Sequence, residues 1–236
     1  MRLSIDDGKE KKNLAEPFQK EIVKFKDLSS KKKLEYIWDY HKWKIITITA
    51  LIVILSVVIP QVIDNLKPTS LFVMMINSTW DTETGDALLT DFANDKGIDT
   101  NKNKLIADTS TLLIRNESNT YNMQSAQKIV ALLANETIDI MISDPLNHTA
   151  YCENNVYYDL TEVLDPAFIE KYSDRLVLAQ SGDSDRKKPY GINMNGLSKL
   201  EGAYNEEESI VCGIVVTSQN LENAEDFIYY LFDYVK

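Results

Sequence analysis

Nineteen consecutive residues without a charge, Ile45 to Ile63 (IITITALIVILSVVIPQVI), constrain this chain more than any other feature it carries. A helix rises about 1.5 Å per residue and needs roughly 20 residues to cross the hydrocarbon core of a bilayer. A core helix of a globular domain would show a polar stripe, and this run has none. Thr47, Thr49 and Ser56 can satisfy their hydroxyls on the helix's own carbonyls, and Pro60 falls in the last turn, where a kink is tolerated. The run predicts a membrane-spanning helix.

The flanks set its orientation. Residues 1–44 hold twelve Lys/Arg against eight Asp/Glu, with Lys31, Lys32, Lys33, Lys42 and Lys44 close to the span. Residues 64–236 hold thirteen basic and twenty-eight acidic residues, a net of −15. Basic residues near a span stay in the cytoplasm, so the N-terminus is expected inside and the acidic part outside. Tyr36, Trp38, Tyr40 and Trp43 precede the run as an aromatic belt does. A cleaved signal peptide fits poorly, because the preceding segment is long, the apolar run exceeds the usual 7–15 residues, and no small-x-small site follows it. The expected layout is a basic tail and juxtamembrane helix (1–44), a single transmembrane helix (45–63), a tether (64–70) and an extracytoplasmic domain (71–236). Ser29 is placed to cap a helix that begins near Lys31 and runs into the membrane, and Phe18, Ile22, Val23 and Phe25 have the spacing of a short amphipathic helix.

The acidity of the exterior part argues against nucleic acid and anionic membrane surfaces as partners. Its two cysteines, Cys152 and Cys212, are too few for a disulfide scaffold. They either pair across the fold or lie buried as free thiols. His148 is the one histidine beyond the span. With no metal-ligand spacing, nucleophile elbow or phosphate-binding glycine loop, no metal, cofactor or enzymatic activity is expected. The sequons at Asn77, Asn116, Asn135 and Asn147 matter only in a eukaryotic secretory context, which nothing else here supports.

Along the domain, Leu71–Ile76 is a continuous apolar run of strand length, Ile138–Ile142 (IDIMI) is a third short apolar strand, and Thr111–Ile114 sits in a second predicted strand between them. Ala87–Asn94 and Asn122–Asn135 have helical spacing, the first stopping at Gly97. Ser143-Asp144-Pro145 supplies a helix N-cap and a first-turn proline. Tyr158–Leu164 and Pro166–Tyr172 are short helical pieces. Arg175–Ala179 is extended, Gly182–Lys188 a polar turn, Tyr190–Asn193 and Ile210–Thr217 strands, and Leu221–Val235 a closing helix. Alternating strands and helices indicate an α/β fold: a single mostly parallel sheet flanked by helices, preceded by one transmembrane helix. Such sheets bind ligands beyond the carboxyl ends of their strands. Those ends fall at Asn77–Asp81, Arg115–Asn119, Ser143–Asn147 and Thr217–Asn220, expected on one rim.

The segments IDIMISDP, YYDLTEVL, KPYGINMNG and IVCGIVVTSQNLENAEDFIYYLF resemble pieces of bacterial extracellular solute-binding proteins of the ABC-transporter type. The matching positions are Asp139–Pro145, Asp159–Leu164, Pro189–Ile192 and Ala224–Leu231. The resemblance covers most of residues 71–236 and implies a periplasmic-binding-protein-like lobe. It departs from the family in having about half the usual length, one lobe in place of two, and a helical anchor. A single lobe cannot enclose a ligand from both sides. On this resemblance the domain is a binding module for a small sugar or peptide, acting as a transporter accessory or ligand sensor beside a membrane partner such as a permease. Its candidate contacts are Asn77, Trp80 and Asp81 after the first strand, Asp144 and Asn147 after the third, and Tyr190 with Asn193. Trp80 either stacks on a sugar ring or covers the rim of the core. Asp144 either accepts hydroxyl hydrogen bonds or caps a helix. The alternative role is a protein-docking module of the envelope with a degenerate ligand site, which predicts an exposed apolar patch on the sheet edge or rim.

Overall fold

The computed structural model describes residues 30–114, 119–182, 186–205 and 209–236. The stretch around Phe18 to Phe25, the Ser29 cap, residues 115–118 of one expected strand end and residues 183–185 of the expected polar turn lie outside them. The chain divides into two units between Asn65 and Leu66.

The first unit is one helix, α1 (Ser30–Asn65), with Pro60 inside it. Its stretch Lys42–Asp64 is long and apolar enough to cross a membrane, and none of its most apolar window is buried against protein. Polar side chains in the run turn inward: Thr47 Oγ1 donates to Trp43 O at 2.8 Å and Ser56 Oγ to Val53 O at 2.7 Å. Both bonds satisfy hydroxyls that would otherwise face apolar surroundings.

The second unit is an α/β domain. Its elements are β1 (Thr69–Met75), α2 (Thr82–Lys96), β2 (Lys104–Asp108), α3 (Thr120–Ala134), β3 (Ile140–Ser143), α4 (Pro145–Cys152), α5 (Leu160–Val163), α6 (Pro166–Lys171), β4 (Leu176–Gln180), β5 (Lys187–Asn193), β6 (Val211–Ile214) and α7 (Leu221–Leu231). The strands form one six-stranded sheet in the order β2-β1-β3-β6-β5-β4. β1 pairs parallel with β2 and with β3, whereas β3–β6, β6–β5 and β5–β4 are antiparallel. The sheet is therefore mixed, which corrects the expectation of a mostly parallel one. A parallel neighbour needs a crossover element, whereas antiparallel strands can be joined by a turn. Among the described residues no α-helix separates β4 from β5, and only a 3-10 turn (Ser198–Leu200) separates β5 from β6, so the chain doubles back there.

The expected strand at Thr111–Ile114 is also corrected. β2 lies earlier, at Lys104–Asp108, and its ladder with β1 ends at the pair Met74 and Asp108. Residues 111–114 continue past the sheet as irregular chain. Helix α2 begins at Thr82 rather than near Ala87, because Asp81 caps it through Thr84 N. Gly85 then lets α2 lie against β2: a Cβ there would stand 2.8 Å from Thr109 Cγ2 and 3.0 Å from Ala107 Cβ.

Alternate residues of β1 feed two cores, one on each face of the sheet. Leu71, Val73 and Met75 join Leu88, Phe92, Phe168, Phe227 and Ile228 beneath α2, α6 and α7. Phe72, Met74 and Ile76 join Ile129, Met141, Cys152 and Tyr157 beneath α3 and α4. The chain moves one way along the sheet from β1 to β2 and the opposite way from β2 to β3. Right-handed crossovers of opposite direction put α2 and α3 on opposite faces, as observed. Cys152 and Cys212 are buried free thiols in different cores.

At the end of β2 the buried Asp108 accepts hydrogen bonds from Ser110 and Thr111 and pairs with Lys128 of α3. Burial pulls its pKa upward, but the Lys128 ammonium and the Ser110 donors outweigh that and hold it below the ordinary 3.8. Asp108 thus contributes stability above its unfolded pKa that is lost as pH falls through the lower folded value. Lys128→Ala is expected to cost about 1–2 kcal/mol in chemical denaturation at pH 7, with a smaller further loss on acidification than wild type.

Candidate functional site

The site is built around the point where β1 ends. Ile76 N still reaches Ile142 O at 2.8 Å, and the next residue, Asn77, turns left-handed at φ 61°. Asparagine is among the few residues that adopt this conformation readily. Its side chain then clamps the irregular chain beyond β2. Asn77 Oδ1 accepts from Leu113 N at 2.7 Å, while Nδ2 donates to Leu113 O at 3.0 Å and to Asp144 Oδ2 at 3.1 Å.

Asp144 is the N-cap of α4. Its Oδ1 accepts from Leu146 N and Asn147 N, both at 3.0 Å. Its Oδ2 accepts from Asn147 Nδ2 at 2.6 Å as well as from Asn77. Asn147 Nδ2 also donates to Leu113 O at 2.9 Å. Two amide nitrogens and two oxygens thus close a square, and every lone-pair site of the carboxylate is used. The capping role of Asp144 is what the geometry shows, leaving no acceptor for a hydroxyl.

Above the square lies a hollow of about 580 Å³ walled by Leu112, Ile114, Pro145, Leu146 and Asn205. Leu112, Ile114 and Leu146 are 43%, 51% and 67% exposed. The hollow sits between the carboxyl ends of β1 and β3, whose following helices α2 and α4 pack on opposite faces. This is a topological switch point, where sheets of this kind hold ligands. A second hollow, of about 480 Å³, is walled by Met194, Asn195, Leu197, Gly202 and Tyr204, and Asn205 borders both.

Of the seven residues singled out in the sequence, Asn77, Asp144 and Asn147 meet in the square. The other four lie elsewhere. Asp81 caps α2, its Oδ1 accepting from Thr84 N at 2.8 Å and Thr84 Oγ1 at 2.7 Å, and those donors hold its carboxyl below the usual range. Trp80 is half-buried against the core, beside a stretch where Thr79 N bonds Ala203 O at 2.9 Å. Tyr190 is buried in the core under α4. Asn193 organises the chain leaving β5 by accepting from Asn195 N at 2.8 Å. The expected rim segment Thr217–Asn220 belongs to the opposite end of the sheet, because β6 runs antiparallel. There Ser218 and Asn220 bond Asp139 at the start of β3.

Leu112, Ile114 and Leu146 were not foreseen as site residues. An apolar triplet after Thr111 has the composition of a strand, and only its position past the end of the ladder identifies it as a wall. Among the described residues, no group of three or more His, Cys, Asp or Glu is placed to hold a metal ion. Both thiols are inert, burial pushing Cys152 up to about 12 and Cys212 upward as well. No family model, curated protein or solved structure matches the chain. The resemblance to solute-binding proteins therefore rests on the quoted segments alone.

Proposed function

We propose that this chain is a membrane-anchored binding domain, held by α1 with its N-terminus in the cytoplasm, whose hollow docks apolar side chains of another protein in the same membrane. The observation that carries the proposal is the pairing of an exposed wall, Leu112, Ile114 and Leu146, with a floor whose carboxylate, Asp144, already accepts four hydrogen bonds. A sugar would lose hydrogen bonds to water over such a floor and regain few. An apolar side chain loses none and buries area at about 25 cal/mol per Å². Anchoring supports the same view, because only residues 66–68 separate the end of α1 from the start of β1. A partner in the bilayer, such as a permease, meets the domain at high effective concentration.

Capture of a small solute is the second proposal, and the location of the hollow at the switch point favours it. The two separate experimentally. Photo-crosslinking residues at positions 146 and 178 would be introduced into the full chain in its own membranes, Leu178 being an exposed residue of edge strand β4. Docking predicts a discrete protein adduct from position 146 only, lost when Ile114→Asp is added. Ile114 is exposed, so that substitution should change stability by less than about 0.5 kcal/mol. Equal adducts from both positions, or none, would remove the docking proposal. Calorimetric heat with a sugar and peptide panel would then favour the solute.

A further inference from the structure

We propose that His148 is an acid switch: when the medium around the domain acidifies, its imidazole takes up a proton that the fold cannot accommodate, and α4 opens together with the floor of the hollow. The ring is 1% exposed, and among the described residues neither nitrogen has a hydrogen-bond partner. It stacks on the Tyr157 ring, centroids 4.5 Å apart and planes 14° apart. On its other side a Cβ added to Gly191 of β5 would stand 2.6 Å from His148 Nε2 and 2.5 Å from Val211 Cγ1 of β6. The Gly191 backbone and Val211 thus close in on the Nε2 edge of the ring.

Among the described residues, nothing packed around the ring holds a negative charge for it. The Tyr157 hydroxyl turns to Met141 Sδ at 3.8 Å, and burial raises its pKa. On α4 itself, Asp144 has spent its oxygens on the square, and Cys152 is a neutral thiol. In the strands packed against α4, β3 and β4 carry no titratable residue. β6 offers only the neutral Cys212, and β5 offers Tyr190 and two lysines, of which Lys188 is engaged by Asp159 and Glu162. Burial therefore lowers His148 from 6.5 to about 4.

The sign follows from linkage. Between these two values the opened chain binds a proton that the closed one refuses, so stability is full above pH 6.5 and falls as pH drops toward 4. The loss is local first. His148 N bonds Asp144 O in the opening turn of α4, the turn that also presents Asn147 to the square. The chain has one other histidine, His41, which lies in α1. Asp86 and Glu225, raised by burial, respond in the opposite sense, so a loss in this window is not theirs.

What acid would release depends on the docking proposal, but the switch is measured without any partner. Hydrogen exchange of residues 145–152, corrected for intrinsic rate, would be followed from pH 7 to 4.5 in the full chain in nanodiscs, for wild type, His148→Gln and His148→Phe. Opening of α4 should grow on the order of 60-fold in wild type and stay nearly flat in both variants. In wild type the His148 ring proton should titrate below pH 5 by NMR, a readout that stands even if the variants fail to fold. A midpoint near 6.5 with α4 still protected, or superimposable exchange profiles, would overturn the switch while leaving the docking proposal intact.

Discussion

Asp139→Ala should cost the domain about 4–5 kcal/mol, and Asp139→Asn about half as much, read as shifts of the chemical denaturation midpoint of the full chain in detergent. The carboxylate is 0% exposed at the start of β3. Its Oδ2 accepts from Phe72 N at 2.8 Å, in the position where a parallel neighbour would otherwise supply a ladder carbonyl. Its Oδ1 accepts from Ser218 Oγ at 2.6 Å and Asn220 N at 3.2 Å, and Asn220 Nδ2 reaches both oxygens. Its backbone adds bonds from Asp139 N to Phe72 O at 3.1 Å and from Val215 N to Asp139 O at 2.9 Å. One residue therefore joins β1, β3 and the turn from β6 into α7. Alanine leaves several buried donors with no acceptor, each costing about 1–3 kcal/mol. Asparagine keeps one acceptor oxygen but turns an amide toward the N–H donors of Phe72 or Asn220, which cannot accept. A loss below about 1 kcal/mol for alanine would mean that water replaces the carboxylate, and the turn into α7 would owe its position to the Phe227 and Ile228 core alone.

Asp139 also shows where sequence-level inference stopped. The interior strands were legible because they are buried on both faces: Leu71–Ile76 is an unbroken apolar run, Ile138–Ile142 is apolar but for Asp139, and β1 and β3 fall on them. Helices α3 and α7 were legible from their spacing, and α4 from Asp144 and Pro145. Strand direction was not, because it depends on pairings between residues far apart in sequence. The lack of helical spacing between Arg175 and Asn193 is a local sign of a reversal, against which stands the alternation earlier in the chain. Reading β6 as parallel puts Thr217–Asn220 at the wrong end of the sheet.

For the site, Asn77, Asp144 and Asn147, which the structure brings together, stand out in the sequence because a polar residue just past a buried strand has few roles open to it. Trp80, Asp81, Tyr190 and Asn193 carry the same kind of signal but serve the core, a helix cap or a turn. Composition does not separate those uses, since a capping aspartate and a ligand-binding one differ only in what stands opposite them. The apolar wall of the hollow was missed for the converse reason. Leu112 and Ile114 look like core residues until the ladder is known to have ended at Asp108.

Asn77 is where conformation and network can be separated by substitution. Asn77→Gly keeps the left-handed turn but removes the side chain, leaving Leu113 N–H without its acceptor and the square without one amide. Its expected cost is about 2–3 kcal/mol. Asn77→Ala loses the same bonds and in addition holds a Cβ residue at φ 61°, adding about 1 kcal/mol. The difference between the two variants measures the backbone and the remainder measures the square. Asn77→Asp differs in kind, because it sets a carboxylate oxygen where the amide now donates to Asp144 Oδ2 at 3.1 Å. Two carboxylates at that separation share a proton, so the folded pKa of the pair rises above the unfolded value. Stability from such a group is present at low pH and lost as pH rises, so this variant should be the least stable of the three at pH 7 and recover toward pH 5. Wild type should do the reverse over that interval, through His148. If Asn77→Gly instead melts with wild type, the square contributes nothing to holding residues 111–114. The wall of the hollow would then stand on Asn122, whose Oδ1 accepts from Ile114 N at 3.0 Å and whose Nδ2 donates to Ile114 O at 2.8 Å.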